Sequence, residues 1–221
     1  MKKLLLLLCC AAFGFTTFAQ KDWANFKRYE ARNAAIESPV KVVFMGNSIT
    51  EGWYRQDSAF FLNNRFAGRG ISGQTSAEML VRFRRDVIDL HPQAVVILAG
   101  TNDIAQNNGY ISLKNVMGNI ESMCELAKAN NIKVILCSVL PAYEFPWRKE
   151  IKPAEDVKKL NAMIEAYAKK NRIPYVDYYS ALVDDRGGLP TKYAKDGIHP
   201  TPEAYTIMEG LVMKQIRKTT R

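Results

Sequence analysis

The 221-residue sequence predicts an α/β fold: a three-layer, doubly wound sandwich on about five parallel strands. Three observations carry this expectation. Short apolar runs rich in β-branched residues recur, and the clearest stop at a glycine, as residues 42–45 do at Gly46 and residues 94–99 at Gly100. Segments of helical periodicity separate these runs, and strands alternating with helices make a parallel sheet covered on both faces by right-handed crossovers. The composition, 48% hydrophobic and 24% charged, contains no repeat or low-complexity tract, which sets aside disordered and fibrous classes.

The elements follow in order. Residues 23–35 are expected to form an amphipathic helix, followed by a buried strand at 42–45 and a weaker one at 66–71. Thr75 and Glu78 have capping-box spacing, so a helix opens there and runs to about residue 90. A strand at 94–99, a helix at 111–129, a strand at 133–139, a helix at 153–171 and a short strand at 174–178 come next. Thr201 suits an N-cap, Pro202 a first helical position and Glu203 the positive end of the dipole, so a last helix covers 202–218.

The first residues stand apart. Lys2 and Lys3 precede an apolar run from residue 4, and Thr17-Phe18-Ala19 offers a small-residue cleavage signal before Gln20. Residues 1–19 are therefore expected to be a signal peptide, and 20–221 a single exported domain, periplasmic or secreted. The run contains Gly14, Thr16 and Thr17 and is short for a span, so no stable membrane insertion is expected after cleavage. A lipid anchor at Cys9 or Cys10 fits poorly, because Leu8 and Cys9 stand where such signals need a small residue. Of the four cysteines, Cys124 and Cys137 remain in the mature chain, as a disulfide or as two buried thiols. No Cys-x-x-Cys or His-rich spacing suggests a metal.

The formal charge is +9, and +7 once Lys2 and Lys3 are removed. The basic residues are scattered without interleaved aromatics, so nucleic acid is not an expected partner. Either the surface is simply solvated or it attracts acidic polysaccharide or anionic lipid. Nothing in the sequence speaks to oligomeric state.

In open α/β sheets ligands bind beyond the carboxyl ends of the strands, which directs attention to the loops at 46–53, 72–75, 100–104, 139–150 and 184–201. The first contains Gly46-Asn47-Ser48-Ile49-Thr50. A serine there can expose its hydroxyl in a sharp turn beside helix N–H groups, or simply cap the helix. In the second, Gly73 lets backbone approach a ligand; in the third, Asn102 can donate its side-chain NH₂. Both loops also suit ordinary turn chemistry. In the last, Asp196 lies three residues before His199 and can fold under it to bond Nδ1–H, leaving Nε2 to face a serine. The other histidine, His91, precedes Pro92 at the amino end of a strand, across the sheet, and is read as structural.

These blocks, Gly46-Asn47-Ser48-Ile49-Thr50, the Gly73 loop, Gly100-Thr101-Asn102-Asp103 and Asp196-x-x-His199, resemble in order those of the SGNH (GDSL-like) hydrolases. The first two look most like the branch containing platelet-activating-factor acetylhydrolase and bacterial acylhydrolases. The resemblance implies a flavodoxin-like fold and a serine esterase needing no metal or organic cofactor. It makes Ser48 the nucleophile, His199 the general base and Asp196 its orienting acid. The backbone N–H groups of Ser48 and Gly73 and the side chain of Asn102 would form the oxyanion hole. The family commonly has aspartate where this chain has Asn47, a change that touches the turn rather than the triad.

Trp53, Tyr143, Phe145 and Trp147 are expected near the site, to stack on a sugar or line an acyl pocket, with shielding of the sheet edge the alternative. The expected substrate is a small-molecule or glycan ester with a short acyl group, acetyl above all. A lysophospholipid, acyl transfer to an acceptor alcohol, or a non-catalytic carbohydrate-binding relative are the other readings.

Overall fold

The computed structural model describes residues 22–220, and the expected signal peptide, residues 1–19, lies outside the described residues. Five strands, β1 (Val42–Gly46), β2 (Phe66–Gly70), β3 (Ala94–Ile97), β4 (Lys133–Cys137) and β5 (Tyr175–Val176), pair in parallel in the order β2-β1-β3-β4-β5. The helices are α1 (Glu30–Ala34), α2 (Ser48–Gln56), α3 (Ser58–Asn63), α4 (Ser76–Asp86), α5 (Thr101–Ile104), α6 (Leu113–Ala129), α7 (Ala154–Asn171), α8 (Tyr178–Leu182) and α9 (Pro202–Thr219). The expected three-layer sandwich is the fold observed.

Every residue of β1 is buried, because helices cover both faces of the sheet. Successive side chains point to opposite faces, so the runs divide between two cores. Val43, Met45, Val95, Ile97, Val134 and Leu136 pack with Met79 and Phe83 of α4, Ile120 of α6 and Leu160 of α7. Val42, Phe44, Val96, Ile135 and Cys137 pack with Trp53 of α2, Phe61 of α3 and Met208 and Val212 of α9. From β1 the sheet grows one way to β2 and the other way to β3, so the strand order reverses between β1 and β3. A crevice opens above their carboxyl ends. Ser48 follows β1, and Asn102 follows β3.

Several elements differ from expectation for local reasons. The helix expected at 23–35 is a 3₁₀ turn, Phe26–Tyr29, followed by the short α1; Trp23 is exposed, and only Tyr29 of the two pieces is buried. The helix from Thr75 breaks at Val87 into a 3₁₀ turn, Ile88–Leu90, that ends at left-handed His91 just before Pro92. The last strand is two residues long, because the Asp177 carboxylate accepts the Ser180 N–H and starts α8. Cys124 and Cys137 are free and buried, and burial pushes both thiols up to about 12. Among the described residues no helix is long and apolar enough to cross a membrane.

Candidate active site

The first turn of α2 is capped by Asn47, not by Ser48. The buried Asn47 side-chain oxygen accepts the Ile49 N–H at 3.1 Å. Asparagine thus supplies the same kind of capping acceptor as an aspartate would, without its charge. Ser48 becomes the first helical residue, with a backbone N–H that has no acceptor within the helix and points toward the crevice end of the dipole. The helix can sit this close to the sheet because of Gly70: a Cβ there would lie 2.2 Å from the Glu51 nitrogen.

The 184–201 loop brings the imidazole to the serine. His199 Nε2 lies 3.0 Å from Ser48 Oγ across 151 residues of chain. On its other edge, Nδ1 lies 2.6 Å from Asp196 Oδ2, while Asp196 Oδ1 accepts the backbone N–H groups of Ile198 and His199 at 3.0 and 2.8 Å. The carboxylate is thus held under the ring, and the proton on Nδ1 leaves Nε2 as an acceptor for the Ser48 hydroxyl. Partial burial pushes the Asp196 carboxyl upward, but the hydrogen bonds from His199 and Ile198 outweigh it and hold it below the usual carboxylate value. His91, by contrast, sits at the amino end of β3, away from Ser48.

The remaining donors converge on the same cleft, a space of about 720 Å³ lined by Ser48, Gly73, Asn102 and His199 among others. Gly73 adopts φ +80°, a conformation open to glycine and strained for most other residues, and turns its loop edge outward. Asn102 is buried and donates one N–H of its amide to the Gln74 carbonyl at 2.9 Å, which leaves a second for a ligand. Preset donors of this kind, beside an activated hydroxyl, form an arrangement that can attack a carbonyl and stabilise the resulting oxyanion.

Sequence reasoning missed the groups that hold these loops in register. Asp103 is buried and accepts the Ser76 N–H at 2.9–3.0 Å and the Ser76 hydroxyl at 2.6 Å, which pins the start of α4 to the Asn102 turn. Burial nevertheless raises its carboxyl above the usual value. Arg82 of α4 is fully buried and donates to the carbonyls of Gly46 and Arg69, each at 2.9 Å, to Gln74 Oε1 at 2.5 Å and to Asp86 at 2.8 Å. It gathers the ends of β1 and β2 and the residue after Gly73 around one cation. A signal was present in the sequence: Arg82 and Asp86 are four apart on the stripe that carries Met79 and Phe83. Glu51 of α2 accepts the Ser72 N–H at 2.9 Å and pairs with Arg28, fastening the Gly73 loop to the helix that begins at Ser48.

Three of the four expected substrate-contacting aromatics are corrected. Trp53 is 1% exposed, stacks on Tyr205 of α9 and donates its indole N–H to Glu209 at 2.9 Å. Its position one turn past Ser48 turns it into the core, where it locks α2 to α9; Tyr205 adds a bond from its hydroxyl to the Ile49 carbonyl at 2.7 Å. Phe145 is fully buried beneath Trp147, with ring centroids 5.2 Å apart. Tyr143 is exposed but packs against Gly188 under the Arg186 guanidinium and does not line the cleft. Trp147 does line it, with the indole N–H fixed on Asn107 Oδ1 at 3.0 Å.

Known proteins share this fold. An acylhydrolase-assigned protein from Bacteroides fragilis NCTC 9343 is 53% identical, with TM-score 0.89 over 91% of this chain and 100% of its own. A GDSL-like lipase from Bacteroides thetaiotaomicron VPI-5482 is 57% identical, with TM-score 0.86 over 88% and 98%. An acetylxylan esterase from Geobacillus stearothermophilus shares the fold at 20% identity, with TM-score 0.65 over 82% and 95%. Residues 44–207, which include Ser48, Gly73, Asn102, Asp196 and His199, match the GDSL-like lipase/acylhydrolase family; the chain belongs to that family and is a carboxylic ester hydrolase.

Proposed function

We propose that the protein is an exported serine esterase that removes short acyl groups, acetyl foremost, from carbohydrate through an acyl-enzyme on Ser48. The observation that carries the reading is the 3.0 Å approach of His199 Nε2 to Ser48 Oγ, with Asp196 on the far edge of the ring. As Oγ attacks the ester carbonyl, its proton passes to Nε2, and Asp196 stabilises the imidazolium that forms. The carbonyl oxygen becomes an oxyanion facing the N–H groups of Ser48 and Gly73 and the amide of Asn102. Collapse expels the alcohol, which takes the proton from Nε2, and leaves the acyl group on Oγ. Water then loses a proton to His199, attacks the acyl carbon and releases the acid and the free serine.

The cleft lining favours a short acyl group. Among the described residues, Trp147 is its one large apolar side chain, beside Gly73 and otherwise polar or charged neighbours, so a long alkyl chain finds little surface to leave water on. The acetylxylan esterase with the same fold adds support for a carbohydrate alcohol. Export rests on the pattern of residues 1–19. With p-nitrophenyl esters, kcat/KM is expected to be at least about tenfold higher for acetate than for decanoate, since each buried CH₂ would otherwise add about 0.8 kcal/mol. Acetate release from acetylated xylan is expected as well. A rate that climbs with chain length would return the lipid reading; absence of turnover on every ester would remove the esterase.

A further inference from the structure

We propose, resting on the esterase reading above, that the ester's alcohol is a sugar acid, and that Arg55 and Arg148 receive its carboxylate. Both guanidinium-bearing residues line the cleft that holds Ser48 and His199. Arg55 lies seven residues after Ser48, two turns along the same side of α2 and roughly 10 Å along its axis. Helical side chains lean toward the N-terminus, which directs this long one back toward the nucleophile. Arg148 approaches from the loop that follows β4.

The charge on these two residues is neutralised weakly or not at all by neighbouring carboxylates. Arg55 forms no ion pair among the described residues. Arg148 reaches the Gln106 carbonyl at 3.4 Å, and its nearest carboxylate, Glu150, lies 3.8 Å away with a largely exposed side chain. Among the described residues no aspartate or glutamate lines the cleft. The carboxylates close by are already engaged, Asp196 by His199, Glu51 by Arg28 and Ser72, and Glu78 by Thr75 and Asn108. One unpaired and one weakly paired cation flanking a reactive serine favour an anionic ligand, and the planar guanidinium fork matches a carboxylate in two parallel hydrogen bonds.

Other side chains in the cleft suit a saccharide. Trp147 presents a half-exposed indole, backed by Phe145 and fixed through Asn107, as a platform for a sugar ring. Asn107 and Asn108 have their NH₂ groups bound to Gly73 and Glu78, and the Asn108 amide oxygen is left to accept from a hydroxyl.

The test compares acetate release from mono-O-acetyl methyl glucuronoside and from its primary amide, and from O-acetylated N-acetylneuraminate and its amide, with p-nitrophenyl acetate alongside. The amide keeps size and polarity and deletes the charge. For at least one pair, kcat/KM is expected to be about tenfold or more higher for the acid, mainly through KM, and the preference is expected to shrink as salt is raised. Which pair shows it distinguishes a uronate from a nonulosonate. In the Arg55→Gln/Arg148→Gln variant the ratio of acid to amide is expected to fall toward one. Equal rates on acid and amide in both pairs, with p-nitrophenyl acetate still turned over, would overturn this inference and leave the esterase standing, as would a double variant that kept the preference. Loss of p-nitrophenyl acetate turnover in the native protein would instead bring down the esterase reading beneath it.

Discussion

Ser48→Ala is expected to lower kcat/KM for p-nitrophenyl acetate by about 10⁴–10⁶-fold, and His199→Ala by a comparable factor. The hydroxyl and the imidazole act as one device: without Nε2 at 3.0 Å the Ser48 proton has nowhere to go, and without Oγ the base has nothing to activate. The double variant should therefore be no slower than the worse single variant, a failure of additivity that two independent contributions would not show. Residual turnover would come from donors that still face the carbonyl. Neither change should disturb the fold, since His199 is exposed and Ser48 is half-exposed with its hydroxyl bonded only to that ring. Circular dichroism and thermal melting alongside the kinetics would separate lost chemistry from lost structure. Near-native turnover in either variant would contradict the roles given to them.

Arg82→Met is expected to destabilise the protein by about 3–5 kcal/mol, read from urea unfolding. Methionine fills much of the space but removes every donor of the buried guanidinium. The Asp86 carboxylate loses its partner, and the Gly46 and Arg69 carbonyls and Gln74 Oε1 lose a hydrogen bond with no water to replace it. The same change should lower kcat more than it raises KM in the protein that remains folded, because Gly46 precedes the Ser48 turn and Gln74 follows Gly73. Unchanged stability would mean the guanidinium is not the clamp that these distances describe.

The layered fold was legible because its signals are local. Apolar strand runs stop at Gly46 and Gly100, Thr75 and Glu78 have the spacing of a cap, and Thr201-Pro202-Glu203 opens α9. The site candidates came from two sources: the architecture says which loops meet, and the resemblance of their blocks to those of the SGNH hydrolases picked out Ser48, Gly73, Asn102, Asp196 and His199 where turn chemistry alone would also have served. What the sequence hid was orientation within a turn. Trp53 follows Ser48 closely, yet five residues of helix carry it round to the core, and Phe145 and Trp147, two residues apart, part company between interior and cleft. Short elements were hidden too. Helices α3, α5 and α8 each depend on a single cap or turn rather than on periodicity, as with the Asp57 and Asp177 side chains. Arg82 escaped notice because a charged residue on an apolar stripe reads as a flaw in the pattern until its acceptors, from 13 to 36 residues away in two strands, are seen around it.

Trapping the covalent intermediate is the most direct test of a serine activated by His199. Incubation with diethyl p-nitrophenyl phosphate, followed by peptide mass spectrometry, is expected to find one diethylphosphoryl group per chain, on Ser48. One equivalent of p-nitrophenolate should be released in step with loss of esterase activity, and His199→Ala should label far more slowly. A label on any other residue, or full inhibition with Ser48 unmodified, would contradict the account.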